Sequence, residues 1–140
     1  MKNIKDLRTI TNMSQQEFAE YLHIPKYNIQ NWEQGSRRPL DYVLDMIERI
    51  MVMDNYDLNL INEKSYLSTE HKITFYLVPQ KEGEYDIVFY YDNHKYQIPA
   101  PFIDKKIPEP DYSRTLIGGS SFYVDDKIDD IFFSRKAGLI

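Results

Sequence analysis

The hydrophobic pattern of the chain changes its period once. Up to about residue 53, apolar residues recur three and four positions apart, which is typical of amphipathic helices. From Lys72 onward, short segments rich in Ile, Val, Phe and Tyr alternate with polar positions, as strands do. The pattern predicts an α+β fold with a helical domain over residues 1–53, a linker or transition over 54–71, and a small mostly-β domain over 72–140.

Capping signals divide the helical part. Asn3 is a candidate N-cap for a helix over Ile4–Thr11, because its side chain can accept a hydrogen bond from a first-turn amide. Ser14 followed three residues later by Glu17 is the signature of a capping box, which predicts the start of a second helix. A third helix ends at Gly35, since glycine tolerates the left-handed conformation after a helix. Residues 14–35 are therefore predicted to be two short helices around a tight turn.

A fourth helix is predicted over residues 40–53. Its apolar residues form one stripe at helical spacing: Leu40, Val43, Leu44, Ile47, Ile50 and Met51. We expect this stripe mainly to close the core of the helical domain. The far end of the helix, with Met46 and Met53, is a candidate contact with a second subunit, because a domain of about 55 residues has a marginal core and needs further packing.

The third helix is left with a polar outer face. Ile29 and Trp32 are its apolar positions. The outward side chains carry hydrogen-bond donors and acceptors but no carboxylate: Lys26, Tyr27, Asn28, Gln30, Asn31 and Gln34. An α-helix fits the major groove of B-DNA, where such groups bind base edges. The pattern suits a DNA-binding surface, and the alternative is a helical hairpin inside some larger protein.

The same stretch resembles a known family. The run S-Q-x-E-F-A-x-x-L, then I-P, then I-x-x-W-E-x-G-x-R-x-P, is similar to the helix-turn-helix of Xre/Cro-type phage repressors. The resemblance covers residues 4–49. Where the family usually has glycine in the turn this chain has His23, which tolerates the left-handed conformation better than most residues. The resemblance implies double-stranded DNA as partner, a homodimer on a palindromic operator, and a structural ion pair between Arg8 and Glu33.

Chemistry suggests a role for each polar group of this surface. The base-reading candidates are Lys26, Tyr27, Gln30 and Asn31. Glutamine can bridge adenine, and lysine suits guanine. The phosphate candidates are Gln15, Asn28, Arg37 and Arg38. Gln15 belongs to this set because it begins a helix, where free amides attract anions.

The second half predicts strands and then an irregular stretch. Two candidate strands are HKITFYLVPQ and YDIVFYYDN, and the dipeptide Asp92-Asn93 predicts a tight hairpin into a third, HKYQI. Residues 99–110 contain four of the seven prolines, so they cannot run through the centre of a sheet and are expected to form a loop or an edge segment. Further on, IDDIFFS is compatible with a strand or a short helix, and Ile131, Phe132 and Phe133 together favour the strand.

Charge is unevenly divided along the chain. The formal net charge is −5, yet residues 1–53 carry seven basic and seven acidic residues, so the excess of acid lies in residues 54–140. A neutral domain can bind DNA if its cations cluster on one face, and Lys26, Arg37 and Arg38 flank the third helix. We expect the acidic half to face away from DNA.

Other classes of function have little support. The chain has no cysteine, its histidines are scattered, and the aspartates at 125–130 lack the pattern of a calcium loop, so no metal or cofactor is expected. Without a nucleophile motif or a phosphate-binding loop, an enzyme is the least supported class. No apolar run approaches about 20 residues and no signal-peptide core is present, which predicts a cytoplasmic protein without a membrane partner.

The function predicted for the chain is sequence-specific DNA binding, with transcriptional repression by promoter occlusion. Nine of the twelve tyrosines follow residue 55, where they suit a protein interface and cross-strand stabilising pairs equally well. Two alternatives stay open for this acidic, tyrosine-rich half. It binds a protein target, as in an autoregulating antitoxin or a phage-type inhibitor, or it senses a small ligand that modulates DNA binding.

Overall fold

The computed structural model describes residues 3–68, 72–81 and 85–100. Four helices come first: α1 Ile4–Thr11, α2 Gln15–Leu22, α3 Lys26–Gln34 and α4 Asp41–Met53. A 3-10 helix follows at Leu58–Asn62, and then four strands: β1 Lys64–Ser68, β2 Ile73–Pro79, β3 Tyr85–Tyr91 and β4 His94–Ala100. Helices followed by a sheet confirm the predicted α+β fold.

The residues predicted from the sequence to cap the first three helices do so in the structure. The side chain of Asn3 accepts a hydrogen bond from a first-turn amide of α1 at 2.8 Å. The amide of Glu17 donates to the Ser14 hydroxyl at 3.1 Å, and the amide of Ser14 donates back to the Glu17 carboxylate at 2.9 Å. His23 ends α2 with φ of 57°, and Gly35 ends α3 with φ of 83°. Histidine therefore holds the left-handed conformation at this turn, as expected from its tolerance of that conformation.

The described residues divide into two compact units. The first comprises residues 3–63 together with Phe89–Lys95, the tip of the β3–β4 hairpin. The second comprises residues 64–68, 72–81, 85–88 and 96–100. Fully buried side chains of the first unit include Leu7, Ile10, Phe18, Ile29, Ile47, Met51, Leu60 and Phe89. Those of the second include Phe75, Leu77 and Ile87.

The strands form one sheet in the order β1-β2-β3-β4. β1 and β2 are antiparallel with Lys64 opposite Leu77, and β2 and β3 are antiparallel with Tyr76 opposite Val88. The three strands expected from HKITFYLVPQ, YDIVFYYDN and HKYQI are all present. Among the described strands β4 lies at an edge of the sheet, and an edge strand is where a sheet tolerates a proline such as Pro99.

Two features differ from what the pattern suggests. Within the transition at 54–71, Leu58, Leu60 and Ile61 are compatible with a short helix, and the structure forms the 3-10 helix there. The pattern predicts no strand in this stretch, yet β1 forms at Lys64–Ser68. β1 is the short segment KSYLS, which has little apolar alternation and is ordered by pairing with β2. Leu40 does not join the core stripe, because it lies before the first turn of α4 as its N-cap, and it is 61% exposed.

Several predictions concern residues outside the described ranges. They are the part of the proline-rich segment beyond residue 100, the acidic cluster at 125–130 and the strand predicted from IDDIFFS.

Candidate nucleic-acid interface

The candidate surface is built on α2, the turn and α3. Ala19 of α2 and Ile29 of α3 are buried, with 3% and 0% of their surface exposed. A small residue such as alanine lets two helices approach closely. The amide of Ile24 donates to the carbonyl of Ala19 at 3.0 Å, directly after the left-handed His23. This bond closes the turn, so that α3 starts at Lys26 in a direction fixed by α2.

One face of α3 is polar and open. Lys26 and Tyr27 are exposed, Tyr27 to 63%, and Gln30 and Asn31 are half-buried in the next turn. Residues three and four apart share a helix face, so the four base-reading candidates lie on one side of α3 in successive turns. Gln34, exposed one turn after Gln30, extends this face, as its spacing in the sequence already indicated. We call these five residues the α3 face.

The carboxylate of Glu33, in α3, is bound to Arg8 and is not part of the α3 face. Nε and Nη2 of Arg8 donate to the two carboxylate oxygens of Glu33 at 2.6 and 2.8 Å, and only 6% of the Glu33 side chain is exposed. Nη1 of Arg8 also donates to the carbonyl of Met13 at 3.1 Å. The ion pair that the resemblance implies is therefore present, and the guanidinium of Arg8 is occupied by bonds within the chain.

The carboxylate of Glu33 stays ionised and is balanced by the positive charge of Arg8. Burial acts to raise the pKa of Glu33, but the hydrogen bonds from Arg8 and Gln15 and the positive charges of Arg8 and Lys5 together hold the pKa below its ordinary value. Glu33 is consequently ionised at neutral pH, with Arg8 as its counter-charge. Because Glu33 is the one carboxylate within residues 26–38, the remaining charges of that stretch are the cations Lys26, Arg37 and Arg38.

The phosphate candidates lie in three places. Arg37 and Arg38 are exposed in the loop after α3. Asn28 is half-buried and shares the flank of α3 with Trp32 rather than with Gln30. Gln15 is half-buried at the start of α2, and its Nε2 donates to the Glu33 carboxylate at 3.2 Å. The side-chain amide of Gln15 is therefore already engaged within the chain, and a bond to a phosphate would have to use the same amide group.

A second exposed surface lies on α4. Tyr42, Met46 and Met53 are 64%, 54% and 80% exposed, and their spacing of four and seven places them on one stripe, the α4 stripe. Beside it, Arg49 and Asp45 form an ion pair at 3.0 Å. The sequence marked Met46 and Met53 but not Tyr42, although its spacing to Met46 is a helical one.

Comparisons of the chain with protein-family models, with curated proteins and with solved structures give no match. In the part of the chain that the structure describes, no helix combines the length and apolar character needed to cross a membrane. Within the same residues, no group of three or more histidine and carboxylate side chains is placed to hold a metal ion.

Proposed function

We propose that this chain is a sequence-specific DNA-binding regulator of the Xre/Cro type, which represses transcription by occupying a promoter. The observation that carries the proposal is the α3 face. There an ammonium, a phenol and three amides stand exposed or half-buried in successive turns, while Glu33 is withdrawn into its ion pair with Arg8. A surface of this kind repels neither base edges nor phosphates, and an α-helix fits the major groove.

The roles within the α3 face follow from donor and acceptor geometry. The amide of Gln30 or Asn31 can bond adenine through two atoms, and the ammonium of Lys26 can donate to guanine. Tyr27, at the exposed start of α3, offers both a hydroxyl and an aromatic ring to a base edge. Arg37, Arg38, Asn28 and Gln15 contact the phosphates on either side, which fixes the register of α3 in the groove.

The acidic net charge makes this binding weak without a matching sequence. Phosphate contacts supply the nonspecific affinity of a DNA-binding protein, and within residues 26–38 the cations are Lys26, Arg37 and Arg38. The acidic second half adds repulsion unless it faces away from DNA. Specific base contacts must therefore provide a large share of the affinity, and binding should fall as salt rises.

A homodimer on a palindromic operator is part of the proposal, and the α4 stripe is its contact. When two α4 helices lie antiparallel about a two-fold axis, Tyr42 of each comes opposite Met53 of the other. A surface that is complementary to itself in this way suits a symmetric dimer. Exposed apolar side chains on one stripe are the usual mark of such a contact.

Selection from a pool of random-sequence DNA duplexes tests the proposal without knowledge of the operator. The full chain should enrich one two-fold symmetric site whose half-sites lie about 10 bp apart, one turn of the DNA. A chain carrying both Gln30→Ala and Asn31→Ala should fail to enrich that site, because its α3 face lacks the amides that read bases. Sequences from the wild-type selection that do not differ from the starting pool would refute the proposal.

A further inference from the structure

The tip of the β3–β4 hairpin is part of the helical unit. Asp92 and Asn93 have φ of 52° and 63°, and two successive left-handed residues form the type I′ turn that joins two strands tightly. Behind this turn, Phe89 and Tyr90 are 0% and 2% exposed. Their segment, Phe89–Lys95, groups with the helices, whereas the neighbouring parts of both strands belong to the second unit. One continuous hairpin therefore contributes to both units.

The end of α1 holds the backbone of this tip. Asn12 ends α1 in the left-handed conformation, with φ of 58°. Its Nδ2 donates to the carbonyl of Tyr90 at 2.7 Å. Asn12 therefore holds this position only while α1 is formed, and its bond to the hairpin depends on that helix.

The segment after α4 holds the side chains of the tip. The Tyr90 hydroxyl accepts from the amide of Asp57 and donates to the carbonyl of Asn55, both at 2.9 Å. The Tyr56 hydroxyl donates to Oδ1 of Asn93 at 2.7 Å, and the rings of Tyr56 and Tyr90 lie 4.7 Å apart. The tip is therefore bonded at its turn and at its base to residues that directly follow the last helix.

The contacts continue to α2. The ring of Tyr21 lies 6.2 Å from that of Tyr56 in an edge-on arrangement, and the Tyr21 hydroxyl donates to the Asp54 carboxylate at 2.5 Å. Three tyrosines, Tyr21, Tyr56 and Tyr90, thus form a continuous series of ring contacts from α2 to the hairpin. We call it the tyrosine series.

We propose that the β3–β4 hairpin is a coupling element, through which the state of the sheet sets the stability of α1 and α2. The strands that end in the tip also run through the second unit, so a partner or ligand that shifts β3 or β4 there acts on the bonds to Asn12 and the tyrosine series. Loosening those bonds raises the population of locally opened helices. The consequence for DNA affinity rests on the proposed function, but the coupling itself does not.

Hydrogen exchange on the full chain tests the coupling without DNA. Tyr56→Phe and Asn93→Gly each remove one partner of the same hydrogen bond, and glycine keeps the left-handed turn. Both variants should speed exchange of the amides in α1 and α2 by roughly two- to tenfold, the range expected for loss of one hydrogen bond. Combining them should add little, since the two residues share the bond. Lys95→Ala, at an exposed position of the same tip, is the control and should leave α1 and α2 unchanged.

The outcomes separate the coupling from the DNA-binding proposal. Faster exchange confined to the hairpin, with α1 and α2 as in the wild type, would overturn the coupling. Faster exchange in α1 and α2 supports it even if the wild-type chain selects no DNA site. Where a site is selected, Asn93→Gly and Tyr56→Phe should weaken its binding although the α3 face is intact. Should Asn93→Gly fail to fold, the milder Tyr56→Phe still decides the result.

Discussion

Arg8 and Glu33 meet in an ion pair with two hydrogen bonds, of 2.6 and 2.8 Å, that ties α1 to α3. Gln15, the first residue of α2, donates a third bond to the same carboxylate. One buried carboxylate thus joins the three helices on which the α3 face depends. The same bonds keep the negative charge of α3 away from the surface that is proposed to meet DNA.

Loss of Arg8 should destabilise the protein. We expect Arg8→Ala to lower the free energy of unfolding by about 3 kcal/mol, because it leaves the buried charge of Glu33 without its partner. Trp32 in α3 is the single tryptophan of the chain, so its fluorescence in a urea titration follows this part of the molecule. A variant with both Arg8→Ala and Glu33→Gln should regain part of the loss, since no buried charge stays unpaired.

A different result for Arg8→Ala would show that Arg8 is not a structural residue. If the unfolding midpoint is that of the wild type and the salt dependence of DNA binding becomes shallower, Arg8 is a phosphate contact and not a structural residue. Arg38→Ala is the comparison, because Arg38 is exposed in the loop after α3. It should make the salt dependence shallower and leave unfolding unchanged.

The tyrosine series should make the protein sensitive to alkaline pH. Burial, followed by the charges of Asp54, Tyr90 and Asp92, raises the pKa of Tyr56 to about 12. Burial also raises the pKa of Tyr90 and of Tyr21. An unfolded tyrosine ionises near pH 10, so between about pH 10 and 12 the unfolded state binds fewer protons than the folded state. The free energy of unfolding should therefore be insensitive to these groups below about pH 10 and fall as pH rises above it.

Removal of one hydroxyl should make that fall shallower. In Tyr56→Phe the slope should be reduced by up to about 1.4 kcal/mol per pH unit, the effect of one group that ionises only in the unfolded state. Urea unfolding followed by circular dichroism, from about pH 9 to about pH 11, measures it. Tyr27→Phe is the matched control, because Tyr27 is 63% exposed. If the free energy of unfolding falls with pH equally steeply in Tyr56→Phe and the wild type, the pKa of Tyr56 is not raised in the folded protein.

The α4 stripe should hold the dimer together. Met46→Glu places a charge in the middle of the stripe and should yield monomers at concentrations where the wild type is dimeric, on the order of tens of micromolar. Val52→Glu is the control, since Val52 is 57% exposed on the same helix but lies off the stripe. Light scattering after size-exclusion chromatography reports both.

Salt should act on the dimer and on DNA binding in opposite directions. Screening lessens the repulsion between two acidic second halves, so higher salt should strengthen the dimer while it weakens the complex with DNA. A wild-type chain that stays monomeric at the same concentration, or a Val52→Glu variant that dissociates as readily as Met46→Glu, would exclude the α4 stripe as the contact.

Local signals in the sequence were sufficient for the helices and for the hairpin. A capping box, a glycine after α3 and an Asp-Asn turn each act over a few residues, so their outcome can be read from a short stretch. β1 could not be predicted in this way, because KSYLS becomes a strand by pairing with residues 73–77, and pairing is not a property of the segment itself. Leu40 matched the helical spacing of α4 but lies one position too early to be covered.

Most hydrogen bonds between residues far apart in the chain could not be predicted from the sequence. Asn12 and Tyr90 are 78 residues apart, and Tyr56 and Asn93 are 37 apart, so no spacing rule connects them. Arg8 and Glu33 are 25 apart and were paired only through the resemblance to a family. The polar side of α3 was readable, because helical periodicity alone separates Ile29 from Gln30. The withdrawal of Glu33 from that side depends on a partner in α1.

The most direct test of the account is the affinity of α3-face variants for the selected DNA site. Gln30→Ala and Asn31→Ala should each weaken binding by about 1–3 kcal/mol and relax the preference at one base pair, measured by fluorescence anisotropy on the site and its single-base variants. Asn59→Ala removes an exposed amide from the 3-10 helix and should bind as the wild type does. If Gln30→Ala and Asn31→Ala bind the same site with unchanged affinity and unchanged base preference, α3 is not the helix that reads DNA.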